Sequence, residues 1–142
     1  MFKKIKSKSN QPFGQYTVLV VEDNEVDRKI IIKTLESLGC QVMTAENGSE
    51  GYVKAVSHHP DIILSDCQMP YIDGVEMCRQ IKEEETTQQI PVVFLTGVDS
   101  PRNVVDCFSL EAESFMCKPI NPKELTEQIT QILRDHISPK EE

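Results

Sequence analysis

Five polar side chains stand where short apolar runs end: Glu22 and Asp23 after "YTVLVV", Asp66 after "IILS", Thr96 after "VVFL" and Lys118 after "SFMC". Runs of this length read as buried strands, and a buried strand gains nothing by finishing on a carboxylate. Three carboxylates brought into one crevice repel at about 4 kcal/mol per pair, taking 4 Å separation and an effective dielectric near 20. Lys118 brings one positive charge against three acids. Either one acid holds its proton or a hard divalent cation with oxygen ligands enters. A partly hydrated Mg²⁺ bound by two carboxylates and a backbone carbonyl answers the charge better, because that ion keeps waters and accepts phosphate oxygens. Asp66 could then attack phosphorus as a carboxylate nucleophile. The product is an aspartyl phosphate, with metal and Lys118 neutralising its oxygens and Thr96 donating a hydroxyl hydrogen bond.

The elements that must position these residues alternate along the chain. "YTVLVV" (16–21), "CQVMTA" (40–45), Ile62 to Ser65, "VVFLT" (92–96) and "SFMC" (114–117) read as strands, being short and rich in β-branched and apolar residues. Between them lie amphipathic stretches. "NEVDRKIIIKTLESLG" places Val26, Ile30, Leu35 and Leu38 at near-helical spacing and stops at Gly39. "NGSEGYVKAVSHH" is a second helix ended by Pro60. "DGVEMCRQIKEEE" is a third, with Val75, Met77, Cys78 and Ile81 available for burial, and "KEEETTQQ" reads as its exposed end and loop. Ser100 before Pro101 marks a fourth, running to about Leu110. Asn121, Pro122 and Glu124 cap a fifth, which carries Leu125, Ile129, Ile132 and Leu133 inward and ends near Ile137.

Five βα units in strict alternation predict a parallel sheet with helices on both faces, a three-layer α/β/α sandwich. The carboxyl ends of such a sheet share one edge, where ligands bind at the point at which the strand order reverses. If the order is 2-1-3-4-5, Asp23 and Asp66 flank that point.

Length and composition bound the rest. At 142 residues the chain fits one domain. We divide it into a basic flexible tail (1–15), a domain (16–138) and a short C-terminal tail (139–142). Net charge is −8, but Lys3, Lys4, Lys6 and Lys8 all lie in the first fifteen residues, leaving 11 bases against 23 acids beyond them. That balance argues against a nucleic-acid-binding domain and for a cation partner. Cys40, Cys67, Cys78, Cys107 and Cys117 form no CxxC pair and are read as reduced, mostly buried thiols of a cytoplasmic protein. No apolar signal core follows "MFKKIKSKSN", and no run reaches transmembrane length. His58 and His59 are adjacent, point to different faces, and suit a solvated helix end better than a site.

Taken together, "VVEDN", "LSDCQMP", "FLTG" and "CKP" resemble the receiver domain of two-component response regulators, from about Tyr16 to Ile137. The resemblance implies a flavodoxin-like fold with sheet order 2-1-3-4-5, Glu22 and Asp23 as the acidic metal-binding pair, Asp66 as phosphoacceptor and third metal carboxylate, and the carbonyl of Gln68 as a further ligand of Mg²⁺. It implies Thr96 as the switch hydroxyl, Phe115 as the switch aromatic, Lys118 as the phosphate-pairing lysine, and a cis bond between Lys118 and Pro119. The phosphoryl donor would be a phosphohistidine on a sensor histidine kinase or histidine phosphotransfer protein. The output would be a changed surface on the fourth helix, fifth strand and last helix, with Arg102, Asn103 and Val104 nearby, offered to a downstream protein or to a second copy in a homodimer. The chain would catalyse its own modification and slow dephosphorylation and no other turnover. Glu22 replaces the more usual Asp, Phe115 the frequent Tyr, and Glu111-Ala112 the frequent Gly-Ala; Gln68 and Val98 stand where the family tunes phosphoryl lifetime.

Two other classes fit the architecture less well. A flavin carrier needs a phosphate cradle after the first strand, and "EDNEVD" repels phosphate unless metal intervenes. An aspartyl-phosphate phosphatase places an Asp-x-Asp pair there, which "EDN" lacks. A longer regulator with an effector domain after Glu142 is a third alternative.

Overall fold

The computed structural model of the chain describes residues 14–67, 73–97 and 112–137. The predicted helix at 100–110, with Arg102, Asn103 and Val104, lies outside the described residues, as do Gln68, Val98, Cys107 and most of the basic tail. Five strands form one parallel sheet: β1 (Thr17–Val21), β2 (Gln41–Ala45), β3 (Ile62–Asp66), β4 (Val92–Thr96) and β5 (Ser114–Cys117), in the order β2-β1-β3-β4-β5. The helices are α1 (Glu25–Ser37), α2 (Gly48–His58), α3 (Gly74–Glu83) and α4 (Pro122–Ile132), the last continuing as a π-helical turn, Leu133–Ile137.

Alternation along the central strands sends successive side chains to opposite faces, so each strand feeds two cores. Val18, Val20, Ile62, Leu64, Val93 and Leu95 meet Ile31 and Leu35 of α1 and Leu125 and Ile129 of α4. Leu19, Val21, Ile63, Val92 and Phe94 meet Ala55 of α2 and Met77, Cys78 and Ile81 of α3. β3 and β4 are buried at all five positions, as strands covered on both faces must be. Each helix starts on a side-chain cap from Asn24, Asn47, Asp73 or Asn121, and Gly39 takes the positive φ of 91° that follows α1.

Three expectations are corrected. Val26 is 66% exposed, because α1 packs through Ile31, Thr34 and Leu35, and at about 100° per residue Val26 lies opposite Leu35. Thr87, in the loop read as exposed, is buried: its hydroxyl donates to the Ile81 carbonyl at 2.7 Å, adding to the longer 3.3 Å bond that this carbonyl accepts from the Glu84 N–H at the end of α3. Cys117 is exposed while Cys40, Cys67 and Cys78 are buried: it ends β5, which pairs on one side only in the described sheet, and alternation sends it to the face opposite the buried Met116. Burial pushes the Cys40 and Cys78 thiols up to about 11, which suits packing rather than reactivity. His58 and His59 are both exposed at the end of α2.

Candidate functional site

Register alone brings the acids together. Val21 is aligned with Ser65, so Glu22 and Asp66 follow side by side between β1 and β3, where the strand order reverses. Thr96 is aligned with Cys117, and the next residue, Lys118, donates its backbone N–H to the Thr96 carbonyl at 2.8 Å. The Lys118-Pro119 bond is cis. Asp66 is fixed from below: Ser65 Oγ donates to its carbonyl at 2.9 Å, and Gly74, the first residue of α3, donates its N–H to the neighbouring Cys67 carbonyl at 3.1 Å. A Cβ at Gly74 would lie 2.0 Å from the Asp66 carbonyl oxygen, so only glycine lets α3 come this close.

Lys118 Nζ stands at the centre of the site. It donates to Asp66 Oδ2 at 2.9 Å and lies 3.1 Å from Glu22 Oε1 and 3.2 Å from Asp27 Oδ2. Glu22 is fully buried. Its Oε2 accepts from the Asn24 N–H at 3.0 Å, and its backbone carbonyl accepts from Arg28 Nη1 at 2.8 Å. Among the described residues, Glu22 Oε1 has the ionic contact with Lys118 and no further partner. Asp23 is exposed and is not the helix cap; Asn24 fills that position, accepting from the Asp27 N–H at 2.8 Å.

Burial first, and the Asp66 charge second, push the Glu22 carboxyl up to about 7. For Lys118, burial works toward a lower pKa, but the hydrogen bond to Asp66 and the charges of Asp66 and Glu22 outweigh it and hold the ammonium above its ordinary value. One lysine therefore leaves the acids undercompensated. Glu22, Asp23 and Asp66 each offer a carboxylate oxygen, and these oxygens lie within 4.8 Å of one another. An all-oxygen donor set with a buried, under-bonded carboxylate oxygen fits a hard divalent cation.

The response regulator receiver domain model matches residues 18–130. The chain belongs to that family. The receiver is 32% identical over 118 residues to the phosphate regulon transcriptional regulatory protein PhoB of Pseudomonas aeruginosa, an alignment covering 83% of this chain and 52% of that protein. It spans about half the length of the curated relatives it matches. Its fold superposes on chemotaxis response regulator CheY4 of Vibrio cholerae with a TM-score of 0.77 and 30% identity, over 83% of this chain and 98% of that one. It also superposes on the receiver domain of sensor histidine kinase PA1611 from Pseudomonas aeruginosa, which has a magnesium ion coordinated in its active site cleft, with a TM-score of 0.76 and 28% identity, over 82% of this chain and 95% of that one.

In this receiver Thr96 is buried, and its hydroxyl donates to the adjacent Gly97 carbonyl at 3.2 Å. Phe115 is half-buried and stacks on Phe94 with ring centroids 6.3 Å apart, while its carbonyl accepts from Gln128 Nε2 of α4 at 3.3 Å. Glu22, Asp23, Asp66, Thr96 and Lys118 thus share one sheet edge as expected, with Phe115 on β5 three residues before Lys118. Gln68 lies outside the described residues. Sequence reasoning missed Asp27, Arg28, Ser65 and Gly74. Gly74 carried a signal, a poor helix former at the first position of an apolar-periodic stretch; the others needed the fold.

Proposed function

We propose that Asp66 accepts a phosphoryl group from a phosphohistidine on a sensor histidine kinase or histidine phosphotransfer protein. The observation that carries this reading is the 2.9 Å contact between Lys118 Nζ and Asp66 Oδ2 at the switch point, beside the acidic cluster. An Asp66 carboxylate oxygen forms the new bond to phosphorus as the phosphorus–nitrogen bond breaks, and that bond's electron pair stays on the donor imidazole, which takes a proton. Lys118 follows the phosphoryl oxygens, being already within reach of the nucleophile. Glu22, Asp23, Asp66 and the Gln68 carbonyl would hold Mg²⁺, which neutralises charge on the phosphoryl group.

Thr96 would give up its bond to the Gly97 carbonyl and donate to a phosphoryl oxygen, and Phe115 would move deeper beside Phe94. Those two moves alter the surface formed by β5, α4 and the predicted helix at 100–110, through which a downstream protein or a second copy binds. The chain turns over no separate substrate on this reading. Incubation with a small phosphodonor and Mg²⁺, read by intact mass, tests it: one metal-dependent phosphoryl adduct is expected, absent from Asp66→Asn. An adduct that survives that substitution overturns the assignment.

A further inference from the structure

Lys118 has a third carboxylate partner that the acidic cluster does not include. Asp27 sits three residues after the helix cap Asn24, the position from which an acidic side chain ordinarily reaches back to the cap's own N–H. Here that N–H is already taken by Glu22 Oε2. The Asp27 carboxylate is released from capping and instead lies 3.2 Å from Lys118 Nζ, with about a quarter of its side chain exposed (23%). It is absent from the group of carboxylates placed to share a cation.

We infer that Asp27 is a positioning residue that holds Lys118 in the unphosphorylated receiver and competes with the phosphoryl group for it. An ammonium has three donors, and three carboxylates now surround this one. A cation in the cluster would take charge from Glu22 and Asp66, but not from Asp27. Asp27 therefore remains as the anion beside Lys118 when a phosphoryl group arrives, and like charges at that range oppose each other. Its effect is on the balance between free and phosphorylated receiver, not on the chemistry at phosphorus. Asn at this position would keep the size and the helix start while removing the competing charge.

The inference rests on the phosphoacceptor reading of Asp66, and one titration separates the two. Beryllofluoride, a phosphoryl mimic, is titrated at saturating Mg²⁺ into the wild-type chain and into Asp27→Asn, Asp27→Ala and Asp27→Glu. Loss of the competing anion is expected to tighten beryllofluoride binding about five- to tenfold in the Asn and Ala variants. Asp27→Glu, which restores the charge, should return toward wild type, and melting without ligand should differ little across the set. A merely structural role would move melting and leave the charge-restoring variant unlike wild type. Unchanged or weaker binding in both neutral variants, with wild type binding normally, overturns the role of Asp27 alone. No beryllofluoride binding by wild type overturns the phosphoacceptor reading and this inference with it.

Discussion

Two places in the molecule set one cation among several carboxylates, and they behave oppositely. On α3, Arg79 donates to Glu83 Oε2 at 2.7 Å and forks onto both Glu76 oxygens. These side chains are 40–63% exposed, and the hydrogen bond to Arg79 holds the Glu76 carboxyl below its ordinary range. At the sheet edge, Lys118 faces Glu22, Asp27 and Asp66, yet Glu22 goes up rather than down. The difference is solvent and number. Water and a planar five-donor guanidinium satisfy the helix pair, whereas one half-buried ammonium is shared among three carboxylates, of which Glu22 is wholly removed from water. The helix cluster is at rest; the strand-end cluster retains unmet electrostatic demand, which is what a cation or phosphoryl group can answer.

The most severe way to sharpen this contrast is Lys118→Ala. Leaving the carboxylates without their cation is expected to slow phosphoryl adduct formation by about 100-fold or more, followed by intact mass against time. A rate within twofold of wild type would break the contrast by showing the lysine to be no more needed than Arg79.

Gly74→Ala tests whether the site depends on close packing as well as charge. Its Cβ meets the Asp66 backbone, so we expect a loss of about 3 kcal/mol in denaturant unfolding and a slower adduct. Gly51→Ala is the control. Its Cβ would meet Met77 Sδ at 2.7 Å and Val21 Cγ2 at 3.0 Å, side-chain atoms able to yield, so a smaller loss is expected.

Glu22→Gln reads the unmet charge directly through pH. An acid whose pKa is raised on folding binds its proton more tightly in the folded chain, so its ionisation costs stability. For Glu22 that cost is absent below about 4.5, grows as pH rises toward about 7, and is complete above it. Metal-free Glu22→Gln should therefore be more stable than wild type above pH 7, by up to about 2 kcal/mol, with the gain vanishing near pH 4.5. Urea melts at several pH values check it. A gain that persists at low pH would point to packing instead of charge.

Arg79→Ala is expected to do least. Adduct formation should be unchanged and thermal melting close to wild type, because exposed ion pairs contribute little.

Among the described residues, element order, the parallel sheet and the five strand-end residues were legible from sequence because periodicity and chain alternation report them directly. Strand bounds came within a residue: β3 runs one residue further than read, carrying Asp66 into the ladder itself. Helix faces were less secure. Val26 and Thr87 were misassigned because local patterns count apolar residues, while burial depends on which side of a helix or turn meets the sheet.

Residue types and spacing by themselves determined that acids, a hydroxyl and a lysine would meet at one edge, since parallel strands have only one carboxyl edge to share. Tertiary structure alone decided how those charges divide. That Glu22 is buried with one oxygen held by little besides Lys118, that Gly74 presses on the Asp66 backbone, and that Asp27 turns from its own helix cap to Lys118 all depend on distances between segments far apart in sequence. Electrostatic energy follows separation and solvent exposure in space, and neither is written in the order of residues along the chain.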